Sequence, residues 1–221
     1  MRFKQLWEPP TNPSKTYLIL DNIFSAITHG VGFGLSVAGL VILIVRAVQT
    51  GGALKIVSFT LYGSSLVLLY LFSTLYHSLV FTRARRVFQI FDHSSIFILI
   101  AGSYTPYTLV AIGGAKGWTM WGIIIGLATL GILFYIFNQG KFIILDTILY
   151  VLMGWMVIFA SADLYPILGR AGFTLLFMGG VAYTVGAVLF TMRRIPFIHV
   201  IWHLFVMLGS ILMYFSILLY I

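Results

Sequence analysis

Residues 194–221 read RIPFIHVIWHLFVMLGSILMYFSILLYI and contain no Asp, Glu, Lys or Arg after the first residue. A helix of about 20 predominantly apolar residues spans the hydrocarbon core of a bilayer, so residues 196–219 predict a membrane-crossing helix. Pro196 suits the opening of that helix, where its missing N–H costs no hydrogen bond. His199 and His203 interrupt the apolar run four residues apart, which places both imidazoles on one face of the helix.

The rest of the chain repeats this pattern. Six more apolar runs are long enough to span a membrane, at roughly residues 23–45, 56–80, 88–111, 117–137, 142–161 and 172–191. Hydrophobic residues make up 61% of the 221 residues and charged residues only 8%, whereas about a quarter of the residues of soluble domains are charged. We therefore predict an all-α membrane protein, a seven-transmembrane-helix bundle formed by residues 23–221 behind an N-terminal tail of residues 1–22.

Lysine and arginine are unequally divided between the two sides of the predicted bundle. One set of flanks carries nine of these residues, and the other carries four, namely Arg46, Lys55, Lys116 and Arg170. Because an excess of basic residues marks the cytoplasmic side, the N-terminus is predicted to be cytoplasmic and the C-terminus outside. The net charge of +8 lies in the tail and in short loops beside anionic lipid headgroups, so we predict membrane lipids and no nucleic acid as partners.

The positions of proline and glycine and the cysteine count add detail to the predicted helix bundle. Pro106 lies inside the third apolar run and is expected to kink that helix. The pairs Gly30/Gly34 and Gly122/Gly126 have the spacing that lets helices approach closely. The chain contains no cysteine, which leaves imidazole and oxygen ligands for any metal site.

The few ionisable residues inside the predicted helices cluster at a common depth. His77 is near the end of the second helix, Asp92 and His93 are near the start of the third, and His199 and His203 are near the start of the seventh. Counted from the flanking arginines at ~1.5 Å per residue, they lie roughly 8–14 Å inside the same membrane edge. Since ionisable groups inside a bilayer are costly and usually functional, this layer is the predicted site.

Three imidazoles at this depth predict a zinc site formed by His77, His199 and His203. Two histidines spaced i, i+4 can bind one ion, and a third from another helix leaves a fourth position open, as in catalytic zinc sites. Asp92 is the predicted proton acceptor for the zinc water. Ser73, one helical turn before His77, is predicted to bind that water or to donate to a developing oxyanion.

Simpler roles are open for several polar residues. His29 and His93 could form hydrogen bonds between helices, and Asp92 could pair with His93 or with an arginine. Asp146 could be a favourable charge at a helix N-terminus. Asp163 is predicted to be a solvated loop residue after the fifth helix.

Four motifs together resemble the bacterial hemolysin III family, namely Ser73-Thr-Leu-Tyr-His77, Phe91-Asp92-His93, Ala101-Gly-Ser-Tyr-Thr-Pro106 and Arg194-Ile-Pro-Phe-Ile-His199-Val-Ile-Trp-His203. This family is the prokaryotic branch of the progestin and adipoQ receptor group, which includes the adiponectin receptors and is related to alkaline ceramidases. The resemblance covers the chain from about Asp21 onward and implies a seven-helix bundle in the bacterial cell (inner) membrane. It also implies zinc bound by the three histidines, with Asp92 holding the zinc water and Ser73 nearby.

One region departs from the wider group. Ahead of Thr28 and His29 that group usually has a Glu and an Asn, where this chain has Asn22 and Ser25. Asp21 could substitute for the acid one residue earlier, but we assign no catalytic role to this region.

Three functions are compatible with the predicted site. The first is a zinc-dependent hydrolase of a membrane-lipid amide or ester bond, since the resemblance implies a link to lipid-amide hydrolysis. The second is a non-enzymatic sensor or regulator of membrane state with a structural zinc. The third is haemolytic or pore-forming activity, although a compact polytopic bundle fits a pore-forming toxin poorly. A haem site is disfavoured because two histidines on one helix cannot be opposite axial ligands.

Overall fold

The computed structural model describes residues 14–138, 141–192 and 194–221, and these residues form helices and turns with no β-strand. The helices are α1 Lys15–Thr50, α2 Ala53–Ser78, α3 Arg85–Thr105, α4 Gly114–Asn138, α5 Ile143–Trp155, α6 Ser161–Thr191 and α7 Ile198–Tyr220. A π-helical turn, Pro106–Ile112, follows α3, and a 3₁₀ turn, Met156–Ala160, follows α5. The predicted all-α class is confirmed.

Six helical stretches of the described residues are long and apolar enough to cross a membrane. Five of them are α1, α2, α3 with its π-helical turn, α4 and α7, and the sixth is the 49-residue stretch Ile143–Thr191. At ~1.5 Å per residue this stretch would be about 74 Å long if straight, more than twice a hydrocarbon core of ~30 Å. The chain is therefore a multi-pass membrane protein, as predicted.

The long stretch turns back near its middle. Gly169 has φ 61° and ψ −179°, a backbone conformation that glycine adopts freely and other residues rarely adopt. Ile143 and Thr191, from opposite ends of the stretch, line the same cavity. Both ends therefore lie at one end of the bundle, as two crossings would require. Seven crossings in total and the sidedness of the termini stay predictions.

The first and last helices begin at residues other than those predicted. α1 starts at Lys15 rather than near residue 23, because the Ser14 hydroxyl accepts a hydrogen bond from the N–H of Tyr17 at 3.1 Å and caps the helix. Residues 1–13, which include most of the predicted tail, lie outside the described residues. α7 starts at Ile198, so Pro196 precedes the helix instead of opening it.

Gly30 lies within contact distance of Thr74 in α2, but the other three glycines with the predicted spacing face no described atom. At Pro106 the α-helix gives way to the π-helical turn. A Cβ atom added at Gly34, Gly122 or Gly126 would meet no described atom within 4 Å. Close approaches occur at other glycines, among them Gly117 of α4, where a Cβ would collide with the carbonyl oxygen of Thr108 in the π-helical turn.

The outside of the bundle is covered by large apolar side chains. Val41, Leu130, Phe137, Leu152 and Phe159 are 57%, 64%, 81%, 61% and 79% exposed, respectively. Such a surface is unfavourable in water and matches lipid acyl chains. Polar side chains are instead found inside, among them Ser25, Ser73, His77, Asp146 and His203, each less than a tenth exposed.

Candidate metal centre

Three histidines from α2 and α7 meet inside the bundle, and we call His77, His199 and His203 the histidine group. His77 lies in the last turn of α2, and the other two lie in the first two turns of α7. One ring nitrogen from each can be chosen so that all three lie within 4.8 Å of one another. Nε2 of His77 is 3.0 Å from Nε2 of His199. The structure therefore brings together the three histidines that the sequence selected, and they could hold a metal ion.

Asn22 of α1 determines which nitrogen of His77 faces the other two rings. The amide nitrogen of Asn22 donates to the carbonyl oxygen of Leu18 at 2.7 Å. Its amide oxygen is therefore the atom that accepts a hydrogen bond from Nδ1 of His77 at 3.0 Å. With the proton on Nδ1, Nε2 of His77 presents a lone pair. An outer hydrogen bond of this kind fixes the tautomer and ring orientation of metal-binding histidines.

His203 is also oriented by α1. Its Nδ1 lies 3.2 Å from the carbonyl oxygen of Ser25 and 3.2 Å from the hydroxyl oxygen of Thr28. Because a carbonyl oxygen can only accept, Nδ1 of His203 donates and its Nε2 keeps a lone pair. At least two of the three imidazoles thus direct lone pairs into one buried space, and a cation between them satisfies both.

The contribution of α1 is the part of the site that sequence reasoning missed. Asn22, Ser25 and His29 follow one another at spacings of three and four, so they form a polar stripe on a mostly apolar helix. That stripe is the signal that could have indicated which face of α1 meets the site. The interpretation from sequence compared Asn22 and Ser25 only with the residue types of the wider group and considered His29 only as a hydrogen-bonding residue between helices, so it gave none of the three a role at the metal centre.

His29 adds a fourth imidazole beside the histidine group. Its ring stacks on that of His203, with centroids 3.4 Å apart and planes 9° apart. The ring of Tyr70 in α2 meets it edge-on at 5.0 Å. Neither ring nitrogen of His29 has a hydrogen-bond partner among the described residues. His29 therefore connects α1 with α2 and α7 through ring packing instead of the interhelical hydrogen bond that was considered.

The two predicted catalytic side chains, Asp92 and Ser73, lie beside the histidine group. Both line a small cavity of about 40 Å³ that His199 and His203 also line, room for about three or four water molecules at ~10–15 Å³ each. The Ser73 hydroxyl has no hydrogen-bond partner within 3.5 Å among the described residues, although it faces the Asp92 carboxyl. A carboxylate oxygen of Asp92 is 3.6 Å from Nδ1 of His93, so the considered contact between these two neighbours is present.

Two other acidic residues differ from the expectation. Asp146 lies in the first turn of α5, as expected of a charge at a helix N-terminus, yet it is only 1% exposed and lines the small cavity. Asp163 is not a solvated loop residue, because the chain continues as helix from α5 through the 3₁₀ turn into α6. Asp163 lies in the first turn of α6 and forms an ion pair of 2.5 Å with Lys116 of α4.

A strained residue precedes the helix that carries two of the histidines. Phe197 has φ 54° and ψ 29°, in the left-handed region that non-glycine residues seldom occupy. Its N–H donates to the hydroxyl of Tyr17 in α1 at 3.0 Å, and the two rings pack with centroids 5.1 Å apart. These contacts hold the start of α7 against α1, two residues before His199.

An apolar cavity of about 80 Å³ adjoins the small cavity. The two share six lining residues, which are Leu69, Ile96, Tyr150, Ala187, Trp202 and Val206. Together they form a space that is polar beside the histidine group and apolar beyond it. A molecule filling both would place a hydrocarbon chain next to a polar group.

Known proteins resemble this chain over nearly its whole length. The chain is 48% identical over 206 residues to Hemolysin-3 of Bacillus cereus, which covers 93% of this chain and 94% of that protein. It is 47% identical over 204 residues to the Hemolysin-3 homolog of Bacillus subtilis (strain 168), covering 92% and 96%, respectively. It is 28% identical over 168 residues to the Monocyte to macrophage differentiation factor of Homo sapiens, covering 71% and 67%. The sequence profile of one family matches residues 18–214, and this chain accordingly belongs to that family, the Haemolysin-III related proteins.

Proposed function

We propose that this protein is a zinc-dependent hydrolase that cleaves an amide or ester bond of a membrane lipid. The observation that carries the proposal is the composition of two cavities that share a wall beside the histidine group. His199 and His203 of the histidine group line the small cavity together with Asp92 and Ser73, and the apolar cavity adjoins it.

The donor set fits zinc. Zinc binds imidazole readily, and three histidines with an open fourth position are the ligand set of several catalytic zinc enzymes. The outer hydrogen bonds from His77 to Asn22 and from His203 to the Ser25 carbonyl match the tautomers that such ligands need. Zinc held there would supply Lewis acidity and activate water for attack on a carbonyl.

The residues of this chain have separate roles in the proposed reaction. Asp92 accepts a proton from the attacking water and returns it to the leaving group, which departs as an amine or an alcohol. Ser73, whose hydroxyl is buried without a protein partner, donates a hydrogen bond to the carbonyl oxygen as negative charge develops on it. Asn22, Ser25 and Thr28 keep the histidine rings in place.

The location of the site suits a lipid substrate. The predicted orientation places the histidine group in the cytoplasmic leaflet of the bacterial inner membrane. The apolar cavity beside it is lined by side chains such as Leu99, Ile100 and Val151, which favour a hydrocarbon chain over water. A hydrocarbon chain of the substrate in that cavity would hold the scissile bond near Ser73 and Asp92.

The change Asp92→Asn tests the mechanism. The variant should keep stoichiometric zinc by elemental analysis, because Asp92 is not one of the proposed ligands. Its turnover of the lipid substrate should fall by about 10²–10⁴-fold, the usual contribution of a general base. Asp163→Asn, which removes an acid that pairs with Lys116 away from the cavity, is the matched control and should turn over normally. Unchanged turnover in Asp92→Asn with zinc bound would refute the mechanism.

A second candidate, a sensor or regulator with a structural zinc, is favoured by one feature. The histidine group and its partners join α1, α2 and α7, which are far apart in the sequence. A metal there would stabilise the bundle whether or not a reaction occurs. Release of a fatty acid from lipid by the purified protein would contradict this candidate.

A further inference from the structure

The side chain of Asp146 has no role in the reaction proposed above. It is 1% exposed, and both of its carboxylate oxygens lack a hydrogen-bond partner among the described residues. Burying a carboxylate without hydrogen bonds is strongly unfavourable. The charged form of Asp146 is favoured when a hydrogen-bond donor, which the described residues do not supply, lies against it.

The surroundings of Asp146 indicate which kind of donor fits. Asp146 lines the small cavity from α5, together with Thr147 and Tyr150, while His199 and His203 line it from α7. The described residues around this cavity include two carboxylates, Asp146 and Asp92, but neither lysine nor arginine. On the α5 side of the cavity, away from the cation that the histidine group would hold, the Asp146 carboxylate disfavours a carboxylate or phosphate and attracts an ammonium group.

The size of the small cavity and the hydrogen bonds that Asp146 can accept narrow the class of ligand further. The small cavity has about 40 Å³, enough for a primary ammonium group but crowded for a trimethylammonium group. A primary ammonium carries three N–H donors. Both Asp146 oxygens are closed to water in this structure, so contact with them requires the cavity to widen towards α5. Hydrogen bonds between charged groups are roughly twice as strong as those between neutral groups. The apolar cavity that adjoins this space is suited to the hydrocarbon chain of the same molecule.

We propose that Asp146 binds the primary ammonium group of an amphiphile whose hydrocarbon chain occupies the adjoining apolar cavity. The inference deepens the proposed function and rests on it for the position of the ligand. Hydrolysis of an amide adds water across the C–N bond and yields a carboxylate and an ammonium ion, so the bound group would be the amine part of the molecule. An ester that lacks an amino group has nothing for Asp146 to bind.

Calorimetric titration of the full-length, zinc-loaded protein in phosphatidylcholine nanodiscs tests the proposal. The probes are dodecylamine, dodecyltrimethylammonium and dodecanoate, which share one chain length, and empty nanodiscs provide the partition control. A fourth probe, a lysophosphatidylethanolamine, distinguishes a free amine from an aminophospholipid headgroup. We expect dodecylamine to bind at least about tenfold more tightly than dodecyltrimethylammonium or dodecanoate, as charge-assisted hydrogen bonds require.

Variants assign this preference to one residue. Asp146→Asn should lose the preference for dodecylamine, Asp146→Glu should retain part of it, and Asp163→Asn should match the wild-type protein. Undiminished dodecylamine binding by Asp146→Asn would overturn the proposal, because the amine would then bind elsewhere, for example at the metal. Loss of zinc from both Asp146 variants would also overturn it, since the carboxylate would then serve to balance the charge of the cation.

The two proposals can fail separately. A wild-type protein that prefers dodecylamine but releases no fatty acid from lipid contradicts the hydrolase and supports the ammonium site. A protein that hydrolyses lipid but shows no preference among the probes contradicts only the ammonium site. If Asp146→Asn does not fold, the wild-type preference and the Asp146→Glu variant still decide the outcome.

Discussion

Asn22 illustrates how one side chain prepares a site that it does not enter. Its amide is held by the Leu18 carbonyl, and it in turn holds Nδ1 of His77. A glutamine or asparagine amide can be turned over without changing its shape, so this orientation follows only from the Leu18 contact. The lone pair on Nε2 of His77 therefore depends on a residue from a different helix.

Removing this hydrogen bond should weaken the metal site without unfolding the protein. Asn22→Ala is expected to lower zinc affinity by about 10–100-fold, the usual effect of losing an outer partner of a metal ligand. Asn22→Asp, which keeps an acceptor for Nδ1 of His77, should bind zinc nearly as well as the wild type. Competition with a chelator of known affinity measures both.

A remote asparagine provides the control. Asn138 lies at the end of α4, and Asn138→Ala should leave zinc affinity unchanged. An Asn22→Ala protein with wild-type affinity would show that His77 does not need this partner, and the tautomer argument would be wrong.

At the scale of the helices, close packing is decided by which glycines face a neighbour. Gly117 lies against the Thr108 carbonyl oxygen, at the π-helical turn that follows Pro106. That oxygen also accepts a hydrogen bond from the N–H of Gly113 at 2.9 Å, and this bond holds it in position. Gly126, on the same helix as Gly117, has open space around it.

The pair Gly117→Ala and Gly126→Ala tests this packing. The first should destabilise the protein by ~1–3 kcal/mol, because the added methyl group must displace backbone. The second should be neutral or slightly stabilising, since alanine favours helix over glycine by up to ~1 kcal/mol. Thermal unfolding in one detergent compares the two. Equal melting temperatures would show that α4 can shift away from the π-helical turn at no cost.

At the scale of the whole molecule, the number and direction of membrane crossings connect the site to a compartment. The two ends of Ile143–Thr191 lie together, and the turn between them is at Gly169. If this turn reaches the far side of the membrane, the chain crosses seven times. The basic-residue count then places the histidine group on the cytoplasmic side.

Single cysteines can test this arrangement without interference, because the natural chain has none. Cysteine at Ala115 or at Ala171 should react with a membrane-impermeant maleimide on intact bacteria. Cysteine at Thr82 should react only after the membrane is opened. All three positions are exposed on the protein surface. An unreactive cysteine at position 171 would contradict seven crossings, and a reversed pattern would contradict the orientation.

Much of the fold could be read from the sequence, because the membrane imposes a simple rule on it. A membrane-spanning helix needs ~20 apolar residues. Inside the bilayer the backbone has no water to bond with, so a single segment can satisfy its own backbone hydrogen bonds only as a helix. Runs such as residues 196–219 could therefore be identified by length and composition alone. Helix ends were less accurate, since they depend on local contacts such as the Ser14 cap of α1.

The sequence by itself also determined the three histidines, because the i, i+4 spacing of His199 and His203 and the depth of His77 are linear properties of the chain. Only the tertiary structure decided the contacts of Asn22, Ser25 and His29 and the burial of Asp146. The reason is that hydrogen bonds and burial depend on which faces of distant helices meet. The spacing of residues along one helix shows which of them share a face. Which other helix packs against that face depends on the tertiary structure.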